Sequence, residues 1–350
     1  MMNETMRLSG RDYAADVLKT VAIFGVLTIH GAAYGYGAEI ASLDWIAAVF
    51  WGSVSRASVP LFFMCSGALM LDPRKDFSLK KLYTKWLPRL VIAMLFWAVI
   101  YKLYHLAEEH ALTGENFIFS LKQVLLFDQE MHFYYLHIIF IVYFFLPVTR
   151  IFAEHAGKRM LEYFLILWLV LGILYPTALH FWPFTLLSGI PKQWALNMTY
   201  AAVGYGLLGY YIKFYGQNIK KYVYFLSFFV GFAMVFGFTV IGSVKNQQLY
   251  TLFWEGMSPG TAFMAAGIFG LVYSAFREKE QKKPCWAEMV SKASFCIYLV
   301  HLLFLQECAK RMLFSPYLLS VPVIAAAAFL FGFAVYLVLS RIPIAKKWLI

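Results

Sequence analysis

An all-α, polytopic membrane helix bundle is the fold class this sequence predicts, and three observations predict it. Of its 350 residues, 61% are hydrophobic and 19% aromatic, while only 14% carry charge. A soluble domain of this size needs far more polar surface. The apolar residues gather in runs of about 20, the length that crosses a hydrocarbon core as a helix. The segments between those runs alternate between many and few lysines and arginines, the bias that orients membrane proteins. The net charge of +11 is therefore a topology signal and not a nucleic-acid footprint. No polar stretch is long enough for an extramembrane domain, so residues 1–350 read as one membrane domain.

A window of about 19 residues places about ten spans. They centre on 13–33, 44–71, 84–104, 132–150, 159–178, 195–213, 221–242, 258–276, 289–308 and 318–340. The first could pass for a signal peptide, with Arg7 and Arg11 before an apolar run. Asp16 and Lys19 interrupt that run, and GAAY after His30 is a poor cleavage site, so it reads as a retained helix. The second span is long enough to bend, and Pro60 supplies the reason. Cys65, Cys285, Cys296 and Cys308 have no paired spacing. Three lie in apolar spans and read as core residues, and no disulfide framework or zinc motif follows.

One set of loops holds Arg7 and Arg11; Arg74, Lys75, Lys80 and Lys81; Arg150, Lys158 and Arg159; Lys220 and Lys221; Arg277, Lys279, Lys282 and Lys283; and Arg341, Lys346 and Lys347. The alternate loops hold few cations, with Lys310 and Arg311 as the exception. The segment 105–131 is an acidic outer loop with Glu108, Glu109, Glu115 and Asp128. This pattern predicts both termini in the cytoplasm.

Topology gives depth to the polar residues. In RDYAADVLKTVAIFGVLTIH, from Arg11 to His30, Lys19 and His30 lie eleven residues apart. That is close to three helical turns, so both project from one face, roughly 16 Å apart along the axis. Ionisable groups inside a bilayer are costly and mark interior cavities. Lys19 falls in the inner half and His30 near the outer side. The plain alternative for Lys19 is an ion pair with Asp16, three residues earlier. Arg56 falls near mid-membrane, where it needs a partner or a cavity. Lys85 and Arg89 share a face at the cytoplasmic start of the third span. Glu130, His132, Tyr134, Tyr135 and His137 open the fourth from outside, which brings His132 to the depth of His30. Ser294, Tyr298 and His301 share one face of the ninth.

At these residues the chain resembles the acyltransferase 3 family of integral-membrane O-acyltransferases. The family's arginine-or-lysine, ten residues, histidine motif matches Lys19 to His30. SVPLFFMCSG, from Ser58 to Gly67, is similar to its second-helix segment. HFYYLHIIFIVYFFLP, from His132 to Pro147, resembles its histidine–aromatic opening of a middle helix, and SKASFCIYLVH, from Ser291 to His301, its late block. Four blocks in order cover nearly the whole chain. Lysine replaces the commoner arginine at Lys19, which keeps charge but loses the bidentate fork. Trp86 stands where a further cation is common. The chain resembles the compact members, without an added hydrolase-like domain, which acetylate surface glycans or related acceptors.

The resemblance implies a mechanism. A cytoplasmic acyl-CoA, acetyl-CoA in the first instance, would set its phosphates among Lys19, Arg56, Lys85 and Arg89. His30 would serve as general base on an acceptor hydroxyl, or would carry the acyl group itself. His132, Tyr298 and His301 would complete the catalytic set. Asp16, Glu130 and Ser294 would support it, and Tyr298, Tyr135 or Ser66 would donate to an oxyanion. No permanently bound cofactor or metal is expected. The acceptor would be a glycan or a lipid-linked sugar, and the site a bacterial plasma membrane. Trp182 and Trp254 could stack on sugars or anchor at the interface.

Two other readings weigh against these. A transporter or flippase would use the ionisable stripe as a path, but the two halves share no internal repeat of the kind many transporters carry. Gly204 to Gly209 reads GYGLLG, a formal dinucleotide fingerprint, yet it sits inside an apolar span with no strand before it. Close helix packing explains those glycines better.

Overall fold

The computed structural model describes residues 11–276, 286–311 and 313–350. All regular elements among them are helical. Nine helical segments among the described residues are long and apolar enough to cross a membrane, counting Leu43–Met70 as one. The tenth expected span, 195–213, is occupied by the helix Met198–Tyr215.

Helix α1 spans Tyr13–Ala33. Asp12 caps it, accepting from the Ala15 amide at 3.1 Å, and Asp16 in the first turn suits the positive end of the helix dipole. The second expected span is two helices, α2 (Leu43–Val54) and α3 (Ser58–Met70). Proline has no amide hydrogen, so Pro60 cannot bond the Arg56 carbonyl one turn back. The chain turns there instead, through Arg56 N to Ser53 O at 3.2 Å and Ser58 N to Ser55 O at 3.0 Å.

The remaining helices are α4 (Leu79–Glu108), α5 (Gly114–Leu125), α6 (Tyr134–His155), α7 (Lys158–Ala178) and α8 (Met198–Tyr215). They continue with α9 (Lys221–Asn246), α10 (Pro259–Phe276), α11 (Trp286–Lys310), α12 (Tyr317–Leu339) and α13 (Pro343–Trp348). A 3-10 turn at Met131–Phe133 leads into α6. Helix α4 carries a π-helical turn at Leu82–Trp86. Segment 105–131, expected as a loop, contains α5. Thr113 caps it at 3.2 Å from Asn116 N, and it exposes Phe117, Ile118 and Phe119. It is too short to span and too polar in part to raise a long hydropathy window.

Helix α1 is central and touches α2, α3, α10, α11 and α12. In α11, 61% of the most apolar window is buried, against 17% in α9, so α11 belongs to the core and α9 faces lipid. The GYGLLG glycines are packing positions. A Cβ at Gly67 would lie 1.9 Å from the Gly206 carbonyl oxygen, and one at Gly209 would lie 2.3 Å from that of Met64. The α3 and α8 backbones thus meet directly. Cys65, Cys296 and Cys308 are buried free thiols in the helical core; Cys285 lies outside the described residues.

At the Lys19 end of the bundle, Lys213 of α8 donates to Asp12 at 2.8 Å and to the Ala68 carbonyl at 3.0 Å, and lies 3.4 Å from Asp72. Tyr273 of α10 donates to Asp12 at 2.9 Å, and Arg74 pairs with Asp72 at 2.8 Å. This buried cluster ties α1, α8, α10 and the chain after α3 together.

Candidate active site

A cavity of about 630 Å³ opens beside the lower half of α1. Cations line it from four elements: Lys19 from α1, Arg89 from α4, Lys292 from α11 and Lys346 from α13, with Arg11 just before α1. Its walls include Phe62, Ser66, Trp86, Tyr135, Tyr143, Ser294, Phe295, Tyr298 and Tyr336. Seven of those are aromatic, so the space offers positive charge and aromatic surface together.

Lys19 makes no ion pair among the described residues. Asp16 pairs with Arg11, at 2.6 and 3.0 Å, so the plain reading of Lys19 as its partner does not hold in this geometry. Arg89 donates to the Ile350 carbonyl and lies 5.8 Å from the Phe295 ring. Lys85 does not join Arg89. Both fall on one face of a regular helix, but the π-helical turn winds more residues per turn and swings Lys85 outward. Trp86 lines the cavity there, and Lys85 is exposed outside it.

Tyr135 and Tyr298 close the inner end of the cavity, with ring centres 5.4 Å apart. Past them lie three histidines from three elements. The His30 ring centre of α1 is 5.0 Å from that of His301 of α11 and 6.3 Å from that of His132 before α6, and the His132 and His301 ring centres are 5.3 Å apart. His132 and His301 are fully buried, and His30 is half-buried. The histidine nearest to being reachable is therefore His30. His301 Nδ1 lies 2.7 Å from the Tyr298 carbonyl. A carbonyl only accepts, so Nδ1 carries the proton and Nε2 presents a lone pair with no partner among the described residues. Both His132 nitrogens lack partners as well. The Tyr298 hydroxyl donates to the His132 carbonyl and fixes the turn that presents His132.

Other expected residues fall less centrally. Ser66 lines the cavity and donates to Phe62 O at 3.0 Å, and Ser294 lines it and donates to Ser291 O at 2.9 Å. Glu130 bonds His105 at 2.8 Å, and neither His30 nor His132 is its partner. Arg56 is outside the cavity altogether. It sits in the α2–α3 turn, 4.3 Å over the Trp254 ring and 3.3 Å from the Tyr36 hydroxyl, as an electrostatic neighbour of His30. Arg11, Lys292 and Lys346 were not expected at the site. Arg11 and Lys346 carried a signal, since loop cations on one side of the bundle also gather at the mouth of a cavity on that side.

No curated protein and no solved structure matches the chain. A family model does: the acyltransferase domain of the acyltransferase 3 family matches residues 12–341. With that match over nearly its whole length, the chain belongs to this family, and it is a multi-pass membrane acyltransferase.

Proposed function

We propose that the protein moves an acyl group, acetyl in the first instance, from cytoplasmic acyl-CoA to a hydroxyl of a surface glycan or lipid-linked sugar. The observation that carries this reading is the cavity lined by cations and aromatic rings, whose wall residue Tyr298 packs against His132 and His301. Lys19, Arg89 and Lys346 supply positive charge for the phosphates of the donor, beside Arg11 and Lys292, which are paired with Asp16 and Glu288. The pantetheine arm then runs along α1, where Lys19 and His30 are roughly 16 Å apart. The thioester passes Tyr135 and Tyr298 to reach His30.

In the direct reaction His30 takes the proton from the acceptor hydroxyl. The oxygen attacks the thioester carbonyl, the C–S bond breaks, and CoA leaves as a thiolate that takes up the proton. The unpartnered lone pair on His301 Nε2, on a ring whose centre lies 5.0 Å from that of His30, is the acceptor nearby for the proton that His30 takes up. In the covalent variant the neutral His30 nitrogen attacks the thioester and CoA leaves as a thiolate; the acceptor oxygen then takes the acyl group from His30, and its proton passes to the thiolate. Tyr135, on the cavity wall, is the oxyanion donor beside the donor path, since the Ser66 hydroxyl there donates to the Phe62 carbonyl.

His30→Ala is expected to abolish release of CoA thiol by the purified protein and O-acetyl groups on surface glycans, by at least about 100-fold, the lower range for a general base. The variant should still insert and run as a monodisperse species. Unchanged O-acetyl content by mass spectrometry would sink the reading.

A further inference from the structure

We propose that Arg56, framed by Tyr36 and Trp254, holds an anionic group of the acceptor, a carboxylate or a phosphate close to the hydroxyl that receives the acyl group. This rests on the acyltransferase reading above and adds the chemical class of the acceptor.

Register puts Arg56 at the histidine level and not with the donor cations. A Cβ at Gly25 would lie 1.8 Å from Ser58 Oγ, so α1 and the start of α3 touch at that height. Arg56 precedes Ser58 by two residues on a chain antiparallel to α1, and so lies toward His30. Lys19 is six residues from Gly25 the other way. None of the residues around Arg56 lines the donor cavity.

The guanidinium is held but not neutralised. Among the described residues no carboxylate lies within ion-pair distance of it; Glu255 is exposed and is not paired with it. Its Nε is buried and has no hydrogen-bond partner. An arginine at this depth is costly, and an aromatic face offsets only part of that cost. The frame around it is built. Trp254 is 6% exposed, and its indole donates to buried Ser53 at 3.1 Å. The Tyr36 and Trp254 rings lie 4.6 Å apart. The Tyr36 hydroxyl fits because residue 52 is glycine, where a Cβ would lie 2.1 Å from it. The guanidinium is thus held with a donor left unsatisfied, the arrangement that takes a carboxylate or phosphate through paired N–H donors. Half-buried His30 then stands next to the hydroxyl beside that anion.

The test uses the full protein in nanodiscs with methyl glucuronide, glucose 6-phosphate and neutral methyl glucoside as probes. Binding is read by calorimetry, and transfer by CoA thiol release from acetyl-CoA. The wild type is expected to bind at least one anionic probe saturably and to prefer it to the glucoside, and the two anionic arms separate carboxylate from phosphate. Arg56→Met should weaken that binding at least about tenfold, the loss for one charge-assisted contact. Glucoside binding and the KM for acetyl-CoA should be unchanged. Arg56→Lys should recover part of the affinity, and Tyr36→Phe should cost a few-fold. If Arg56→Met does not fold, the Lys and Tyr36 variants carry the test. Preference for the neutral glucoside, or equal anion binding by wild type and the variants, overturns the proposal. The two readings fail separately. Arg56-dependent anion binding without thiol release keeps the anion subsite and removes the transfer reading.

Discussion

Lys85 and Arg89 are four residues apart, a spacing that puts two side chains on one face of a regular helix, yet only Arg89 reaches the cavity. The difference is one π-helical turn at Leu82–Trp86, and nothing in the local composition announces it. Lys19 and His30 were legible because no such turn interrupts α1. Arg56 was legible as a costly intramembrane charge. Its side of the site was not, because that depends on where the chain breaks before Pro60. These placements separate the cations by experiment. Lys19→Ala and Arg89→Ala are each expected to raise the KM for acetyl-CoA about tenfold, the scale of a lost charge-assisted contact, with a smaller change in kcat. Lys85→Ala should leave the KM within about twofold, as an exposed charge does. Equal effects of Lys85→Ala and Arg89→Ala in steady-state kinetics would contradict the cavity as the donor site.

Helix spans were readable because hydropathy averages over a length that matches the bilayer. Shorter features were lost in the same average: the α2–α3 break, and α5, whose Thr113 cap was nonetheless present in the sequence. Contacts between elements were harder still. Lys213 lies in an apolar helix and looked unremarkable, yet it joins Asp12 and Asp72 from two other parts of the chain. Lys213→Met should leave half-buried Asp12 and buried Asp72 without their shared cation and lower stability by about 3 kcal/mol, the low end for a broken buried pair because Asp72 keeps Arg74. The pH dependence has a definite sign. Burial would raise the Asp12 carboxyl, but the Lys213 charge and hydrogen bonds from Lys213, Ala15 and Tyr273 hold it below its ordinary 3.8. At Asp72 burial is likewise outweighed, by Arg74 and Lys213. Folded values below the unfolded ones give stability that is complete above about pH 4 and lost as pH falls through the folded values. Unfolding temperatures of the purified protein from pH 7 to pH 3 should show that loss, and Lys213→Met should remove or reverse it. Gly67→Ala tests packing alone. Its Cβ would meet backbone of α8, so it should cost about 3 kcal/mol, the upper part of the overpacking range, without changing the KM for acetyl-CoA.

At the scale of the molecule the site has three levels along α1: a cationic cavity, a Tyr135–Tyr298 layer, and the histidines with Arg56 beside them. The sequence could order Lys19 below His30, because a helix converts spacing to height. It could not supply the aromatic layer, which forms only when α6 and α11 meet. Under the proposed function, donor and acceptor approach from opposite sides, and the loop charges predict a cytoplasmic donor side. Sidedness is therefore the whole-molecule prediction. In sealed inside-out vesicles, external acetyl-CoA should support thiol release. In right-side-out vesicles it should not until the membrane is permeabilised, because the donor is too polar to cross. Cysteines placed at Lys80 and at Leu112 should take a membrane-impermeant thiol reagent in opposite vesicle preparations. Lys80 lies in the first turn of α4 and Leu112 follows its last, so one bilayer crossing separates them. Labelling of both from the same side would break the topology. Activity with external acetyl-CoA in right-side-out vesicles would reverse the donor side while leaving the levels along α1 in place.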